Sequence, residues 1–335
     1  GNLGTWNIVA AQDYIGESGV PSVYWGTGSS YQYFNPAEGN ERYTFPVQPI
    51  YNTEGRIMYL RAMQLASLEG SGVTSVSKIG VIHSSSDDGA SIKAGIEEQR
   101  NINLATDPNQ PTVTYAQMNS TVATELTAQV QAVKDCDVVI IAGNQTYFQA
   151  AYNAMQTANV RKPVITSYVN IAPATVPDEA VDANASDIYG GAWVIIDNSA
   201  DERQKADFTR FVGICTWGVE KGIISQSIAD SYMISAYAMS SFIALEVFME
   251  GINRLADKEI TREAFLEAME SAPINVPISG GVNYANGQRI GLDGMSFVKY
   301  VRPTEAGAAA STGTFVNVIG MQSIDQILGE LGDAE

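Results

Sequence analysis

Lys78-Ile79-Gly80-Val81-Ile82-His83-Ser84-Ser85-Ser86-Asp87-Asp88-Gly89 is the stretch whose reading decides the fold class. An apolar run over Ile79–Ile82 stops in a loop of small hydrogen-bonding residues that ends in glycine. A run of that length, followed by a helical pattern over Ser91–Arg100, reads as a buried parallel strand with its crossover helix. The pattern recurs along the chain. Val138-Val139-Ile140-Ile141 stops at Gly143-Asn144-Gln145, and Val164-Ile165 stops at Ser167-Tyr168-Val169-Asn170. Val20 and Pro21 lead through Val23 into Gly26-Thr27-Gly28-Ser29-Ser30. In open α/β sheets the loops at the carboxyl ends of strands form the ligand crevice. These loops are polar but mostly uncharged, a chemistry suited to gripping a small solute rather than breaking it.

Working outward, strands and helices alternate. Helical patterns cover Asn7–Ile15, Thr53–Glu69, Thr121–Lys134 and Tyr147–Ala158; strands are expected at Val20–Tyr24, Lys78–Ile82, Thr112–Gln117, Asp137–Ala142 and Pro163–Thr166. Such alternation predicts a parallel sheet with right-handed crossovers. Phe45-Pro46-Val47-Gln48-Pro49 is a connector, since proline fixes φ and withholds a donor. Ile188–Ile196 reads as a second connecting strand and Pro273-Ile274-Asn275-Val276-Pro277 as a third connector. Between them lie helical patterns at Asp201–Cys215, Ser227–Leu255 and Thr261–Ser271, and Met295–Val301 alternates like a strand.

The 335 residues suffice for two lobes, and a hydrophobic content of 45% is ordinary for a globular chain. A net charge of −18, from 37 acidic and 19 basic residues, excludes a basic face for nucleic acid. No stretch approaches the roughly 18 consecutive apolar residues of a membrane span. Cys136 and Cys215 are the only cysteines, so no zinc-ligand cluster exists and the redox compartment is undecided. The chain starts at Gly1-Asn2-Leu3-Gly4-Thr5-Trp6, without initiator methionine or signal sequence, as though in mid-domain.

Three local features invite a chemical reading. His83 is the sole histidine and serines follow it, but a catalytic triad needs base and nucleophile in hydrogen-bond contact, and no Gly-x-Ser-x-Gly elbow occurs. Asp87-Asp88-Gly89 lacks the spacing of a calcium loop and stands either as a solvated loop or as part of a ligand site. Gly26-Thr27-Gly28 lacks both phosphate-cradle patterns. Trp6, Trp25, Tyr168 and Trp193 lie near strand ends, where aromatics either line a pocket or fill the core.

Gly1–Ser30 joins a small-residue loop, a helix and a Val-Pro strand. Lys78–Gly89 ends its strand in an acidic residue before glycine, and Tyr232–Tyr300 contains Ile260-Thr261-Arg262-Glu263-Ala264-Phe265 and Val282-Asn283-Tyr284. In this order the segments resemble the type I periplasmic binding proteins, specifically the branched-chain amino-acid (Leu/Ile/Val) receptors that serve ABC importers. The resemblance implies an α/β fold of two doubly wound parallel-sheet lobes joined by three crossing strands and closing like a hinge on a ligand in the interlobe cleft. Lobe one would comprise residues 1–46 and 193–273, and lobe two residues 47–192 and 274–335. About two further βα units of ~30 residues each, and a signal sequence or lipoprotein cysteine before them, are expected upstream of Gly1.

By the same resemblance the ligand carboxylate meets Thr5, with Trp6 beside it, and the loop of Gly26 and Gly28, where the family's usual hydroxyl is absent unless Ser29 substitutes for it. Asp88 replaces the aromatic of the family's Tyr-Gly pair, and Asn144-Gln145 takes the place of a loop that often carries an aromatic. The acid that grips an α-ammonium belongs near Tyr168, where the sequence has none, and Trp193 completes the candidate set. An ammonium left unpaired in a closed cleft costs several kcal/mol, so Asp88 supplies that charge or the ligand is not an amino acid. The expected protein is an extracytoplasmic, monomeric, non-catalytic receptor without metal or cofactor, handing a small solute to a membrane ABC permease. A ligand-sensing domain of a signalling protein and an α/β hydrolase using His83 are the alternatives.

Overall fold

Val138 to Ala142 are buried at every position, as a strand covered on both faces must be. They lie in the larger of two units into which the chain divides, Gly1–Ile50 with Trp193–Asp293 and Tyr51–Ala192 with Gly294–Glu335. The computed structural model describes residues 4–24, 26–194, 202–233 and 235–332.

The first unit opens with α1 (Thr5–Ser18), ended by Gly19 at φ 58°, then two short strands, β1 (Ser22–Val23) and β2 (Thr44–Phe45), paired in parallel. In the second unit follow α2 (Tyr51–Gln64), β3 (Lys78–Ser84), α3 (Asp87–Leu104), β4 (Thr112–Met118) and α4 (Thr127–Val133). After them come β5 (Val138–Ala142), α5 (Gln145–Thr157), β6 (Val164–Thr166) and β7 (Ile188–Ala192). Helices α6 (Glu202–Glu220), α7 (Gln226–Met233), α8 (Ala236–Asn253) and α9 (Arg262–Glu270) return to the first unit. The second is completed by β8 (Gly294–Val301), β9 (Thr314–Ser323) and α10 (Ile324–Gly332).

The seven-stranded sheet has the order β4-β3-β5-β6-β7-β8-β9. Strands β3 to β7 pair in parallel, and β8 and β9 add two antiparallel strands at one side. The α/β class and parallel sheet expected from the sequence are present, with this antiparallel addition. Two glycines set how closely α2 and α3 approach. A β-carbon on Gly55 would stand 2.1 Å from the Ile92 carbonyl oxygen, and one on Gly95 would stand 1.9 Å from that of Asn52. The two backbones therefore touch, which fixes the start of α3 relative to the first turn of α2. Farther along α2, buried Arg61 donates to Gln64 (2.7 Å), Gln322 (2.6 Å) and the Met295 carbonyl (2.7 Å) and lies over Phe297, tying the helix to β8 and β9.

In the first unit Phe45 packs edge-on against Tyr284 and Phe265, with centroids at 5.0 and 6.3 Å. Fully buried Arg289 lies over the Phe45 ring at 4.2 Å and pairs with Glu270 at 2.7 Å. A buried guanidinium is tolerable when its donors are all directed at partners; here the Arg42 carbonyl takes two more.

Some boundaries differ from the sequence reading. Residues 47–50 and 274–293, expected in lobe two, group with the first unit. Ile274 and Val282 exchange both backbone hydrogen bonds at 2.8 Å, and Asp207 accepts from the Ile278 amide at 3.1 Å, which retains the segment beside α6. The third passage between units is therefore at Asp293–Gly294 rather than in the Pro273–Pro277 connector. The single pattern at Ser227–Leu255 is two helices, because Ser235 adopts extended backbone and caps the Ala238 amide of α8. Of the strand expected over Ile188–Ile196, Ile188–Ala192 is strand, and its last two residues lie outside the described residues.

Candidate functional site

At the carboxyl edge of the large sheet, β3 ends at Ser84 and the chain turns into α3 within three residues. Asp87 and Asp88 occupy the first helical turn, where negative charge meets unpaired amides. Gly89 permits the turn. A β-carbon there would lie 2.3 Å from Ser84 Oγ and 2.6 Å from the Ser84 nitrogen, so helix and strand end are in backbone contact. Asp88 is buried, and its carboxylate has internal partners on both oxygens. Ser86 Oγ (2.5 Å) and Ser84 Oγ (3.2 Å) donate to Oδ1, while the Asn144 amide donates to Oδ2 at 2.8 Å. Asp88 therefore clamps the loop after β5 to the loop after β3.

The loop after β6 is held as firmly. Asn170 donates its side-chain amide to the Gly143 carbonyl and to Thr166 Oγ1, both at 2.8 Å, and Gln145 Nε2 donates to the Val169 carbonyl at 2.9 Å. Below it stands Glu54 of α2, 0% exposed. Its Oε1 accepts from the Tyr168 amide at 2.6 Å, and its Oε2 lies 2.9 Å from Ser167 Oγ. The Tyr51 and Tyr168 rings stack with centroids at 5.8 Å. Burial pushes the Glu54 carboxyl up to about 8; the Tyr168 and Ser167 bonds oppose the rise and the charge of Asp88 adds to it.

The sequence places no carboxylate near Tyr168, yet folding brings Glu54 there from more than a hundred residues away. In Tyr51-Asn52-Thr53-Glu54-Gly55, an acid in a helix's first turn reads as ordinary dipole complementation. The available signal is its phase. Ile50, Glu54, Ile57, Met58 and Arg61 share one helical stripe, and charges on an otherwise apolar stripe announce buried polar groups.

In the first unit the expected contacts also converge. Thr5 Oγ1 lies 2.7 Å from Thr27 Oγ1, and the Gly4 amide donates to the Gly26 carbonyl at 3.1 Å. Thr27 Oγ1 accepts from the Ser29 amide at 3.1 Å, and Tyr33 donates to the Thr27 carbonyl at 2.7 Å. Thr5, Gly26 and Ser29 thus surround Thr27, and Gly28 is buried within the same loop. Ser29 Oγ is buried without a hydrogen-bond partner among the described residues. Trp193 is buried. Trp25 and the Trp6 side chain lie outside the described residues.

His83 is buried on β3, edge-on to Tyr115, with Nδ1 3.0 Å from the Ser84 carbonyl. Its ring reaches that carbonyl and no serine hydroxyl among the described residues, so the nucleophile–base contact of a hydrolase is missing there. Among the described residues no group of three or more His, Cys, Asp or Glu is placed to hold a metal ion. The opposite, amino edge of the sheet carries a cleft of about 530 Å³ between Ser71–Ser75, Arg161–Pro163 and Ala183–Asp187. Its acids are engaged internally. Asp137 accepts from the Ser77 and Lys78 amides at 2.8 and 2.9 Å, and Asp187 pairs with Lys299 and Arg302 at 2.7 and 2.9 Å.

No family model matches the chain, and no curated protein matches it by sequence. Solved structures do match its fold. A leucine binding protein from Thermotoga maritima is 13% identical with a TM-score of 0.65, the match covering 97% of this chain and 79% of that one. A branched chain amino acid ABC transporter protein from Thermus thermophilus, with bound valine, is 13% identical at a TM-score of 0.63, over 98% and 78%. A fatty acid ABC transporter substrate-binding protein from Thermomonospora curvata is 12% identical at 0.62, over 97% and 75%. The chain thus has the α/β fold of the type I periplasmic binding proteins of ABC transporters.

Proposed function

We propose that this protein is a solute-binding receptor that captures a small polar or amphiphilic molecule outside the cytoplasm and delivers it to a membrane ABC permease. One observation carries the reading. The loops at the carboxyl edge of the large sheet are cross-tied into a rigid array of hydroxyl, amide and aromatic groups, without a nucleophile paired to a base. Such an array is preorganised to bind and is not equipped to turn a substrate over. The first unit contributes a second array of the same chemistry around Thr27. Asp88, Asn144, Gln145 and Tyr168 are the contacts in one unit, and Thr5, Trp6, Gly26, Gly28, Ser29 and Trp193 those in the other. The solved structures of similar fold support this role, and their names span leucine, valine and fatty acid.

The test is a thermal-shift panel of amino acids, their amides, aromatic and short-chain acids, and fatty acids. A solute at a hundredfold excess over its Kd adds about 2.7 kcal/mol of stability. One chemical class is expected to raise the unfolding midpoint in a saturable manner. Silence across the panel, together with ester or amide turnover that disappears in His83→Ala, would put the hydrolase in the receptor's place.

A further inference from the structure

We propose that Glu54 is a positioning residue of this site, holding the Ser167–Asn170 turn as an uncharged carboxylic acid so that the second unit offers its solute hydrogen-bonding groups without a free charge. The inference deepens the receptor reading and names the part of the solute this unit takes: a neutral polar one, such as an amide, a hydroxyl or a protonated acid, rather than an ammonium.

The geometry of Glu54 fits a neutral acid. Its two oxygens face one obligatory donor, the Tyr168 amide, and one hydroxyl, Ser167 Oγ, which both donates and accepts. Ser167 Oγ donates to Oε2 when the carboxyl is ionised and, by turning its hydroxyl, accepts the proton when it is neutral, so these contacts suit both states and full burial away from a cation selects the neutral one. Ser167 Oγ in turn accepts from the Val169 amide at 3.4 Å, which links Glu54 to the turn itself. No lysine or arginine among the described residues pairs with Glu54. An ionised carboxylate buried without a counter-ion costs several kcal/mol, and the group takes up a proton instead.

The surroundings strengthen this. From α3 the charged neighbour is Asp88, of the wrong sign to neutralise a carboxylate, while Lys93 of that helix is engaged with Glu97. From the turn after β6 comes Tyr168, and from α2 itself come Tyr51, Arg56 and Arg61; Arg56 is directed at Gln99 and Glu98, and Arg61 at Gln64, Gln322 and Met295. Glu330 of α10 bonds Gln64 at the far end of α2, and Lys299 of β8 pairs with Asp187. The carboxylate of Asp88 is likewise committed to Ser84, Ser86 and Asn144. Both acids of this edge are therefore spent on holding loops.

The experiment compares the wild-type chain, Glu54→Gln and Glu54→Ala by thermal unfolding without solute between pH 6 and 9, then by solute titration. In that window the unfolded chain titrates its single histidine at about 6.5, its terminal amine and, at about 8.5, the thiols of Cys136 and Cys215; all of these are shared by the three variants, so the difference between wild type and Glu54→Gln isolates Glu54. The folded carboxyl holds its proton up to about 8, whereas the unfolded one has released it by then, so the Glu54 contribution to stability falls as pH rises toward 8 and levels above it. Glutamine keeps both contacts, accepting from Tyr168 through oxygen and donating to Ser167 through nitrogen. Glu54→Gln is expected to remove the slope between pH 6.5 and 8 and to bind solute within about threefold of wild type at pH 7, while Glu54→Ala, which removes the contacts to both Tyr168 and Ser167, weakens binding about tenfold or more. Equal slopes in wild type and Glu54→Gln would overturn the proposal, as would a Glu54→Gln affinity as poor as that of Glu54→Ala, since either makes Glu54 a working charge. The slopes are read without solute, so failure to find any stabilising solute would count against the receptor reading alone.

Discussion

The two edges of the large sheet use their acids in opposite ways. At the amino edge, Asp187 is met by Lys299 and Arg302, and Asp137 by two backbone amides and a serine. Burial works against both acids, yet these donors and cations outweigh it and hold both carboxyls below the usual range. At the carboxyl edge no cation among the described residues pairs with Glu54 or Asp88, and burial instead lifts Glu54. One end is fastened by charge, and the other is fastened by hydrogen bonds in surroundings that discourage charge. A scaffold needs the first arrangement, and a surface that grips a neutral group needs the second.

The strongest way to break the contrast is to move the elements that carry the carboxyl-edge acids. Gly55→Ala drives a methyl into the Ile92 carbonyl and Gly95→Ala drives one into that of Asn52, with backbone on both sides and no flexible side chain to yield. Each is expected to cost about 3 kcal/mol or more, read as a lower urea midpoint, and to shift the Glu54 and Asp88 loops together. A loss under about 1 kcal/mol would show that α2 and α3 slide freely, and that the two acids are not held by their contact.

That contact also shows how far the sequence could be read. The strand–loop–helix pattern at Lys78–Gly89 carried the fold class because its apolar run and glycine answer to local sterics, and Gly89 is needed where the helix start meets Ser84. Asp88 and Asn144 were legible as members of the candidate site because each follows a buried strand. Glu54 was not, because its partners Ser167 and Tyr168 are remote in sequence and only packing brings them together. The strand Thr314–Ser323 escaped for a different reason. It is a half-buried edge strand interrupted by Asn317 and Gly320, so its alternation is weak, and α10 immediately after it spans just nine residues.

Asp187→Asn sharpens the contrast from the amino edge. It leaves Lys299 and Arg302 without their shared carboxylate, and the pair is partly exposed, so the expected loss at pH 7 is about 1 to 2 kcal/mol. The sign with pH is set by the lowered carboxyl. Its contribution is complete above the ordinary value of 3.8 and disappears as pH falls through the lower, folded one. Wild type and variant should therefore differ in unfolding midpoint at pH 7 and converge as pH falls well below 3.8. A gap that persists at low pH would mean that Asp187 acts through packing rather than through its charge.

The smallest effect belongs to His83, and it runs against that of Glu54. Burial pushes the imidazole below its ordinary 6.5; the Ser84 carbonyl opposes this, and Lys93 adds to it. The folded ring stays neutral while the unfolded ring gains a proton, so stability contributed by His83 is complete above 6.5 and is lost as pH falls through that value. Glu54 has the reverse sense, favouring the fold at the lower pH, and the two oppose each other below 6.5. His83→Asn should leave the loss between 6.5 and 8 intact and extend it down toward pH 5, where His83 no longer offsets Glu54. Glu54→Gln should level the profile above 6.5 and expose a loss of stability on the acid side below it, and the double variant should be level between 5 and 8. A His83→Asn profile that also loses the slope above 6.5 would transfer the carboxyl-edge proton from Glu54 to His83, and with it the account of why that edge carries no free charge.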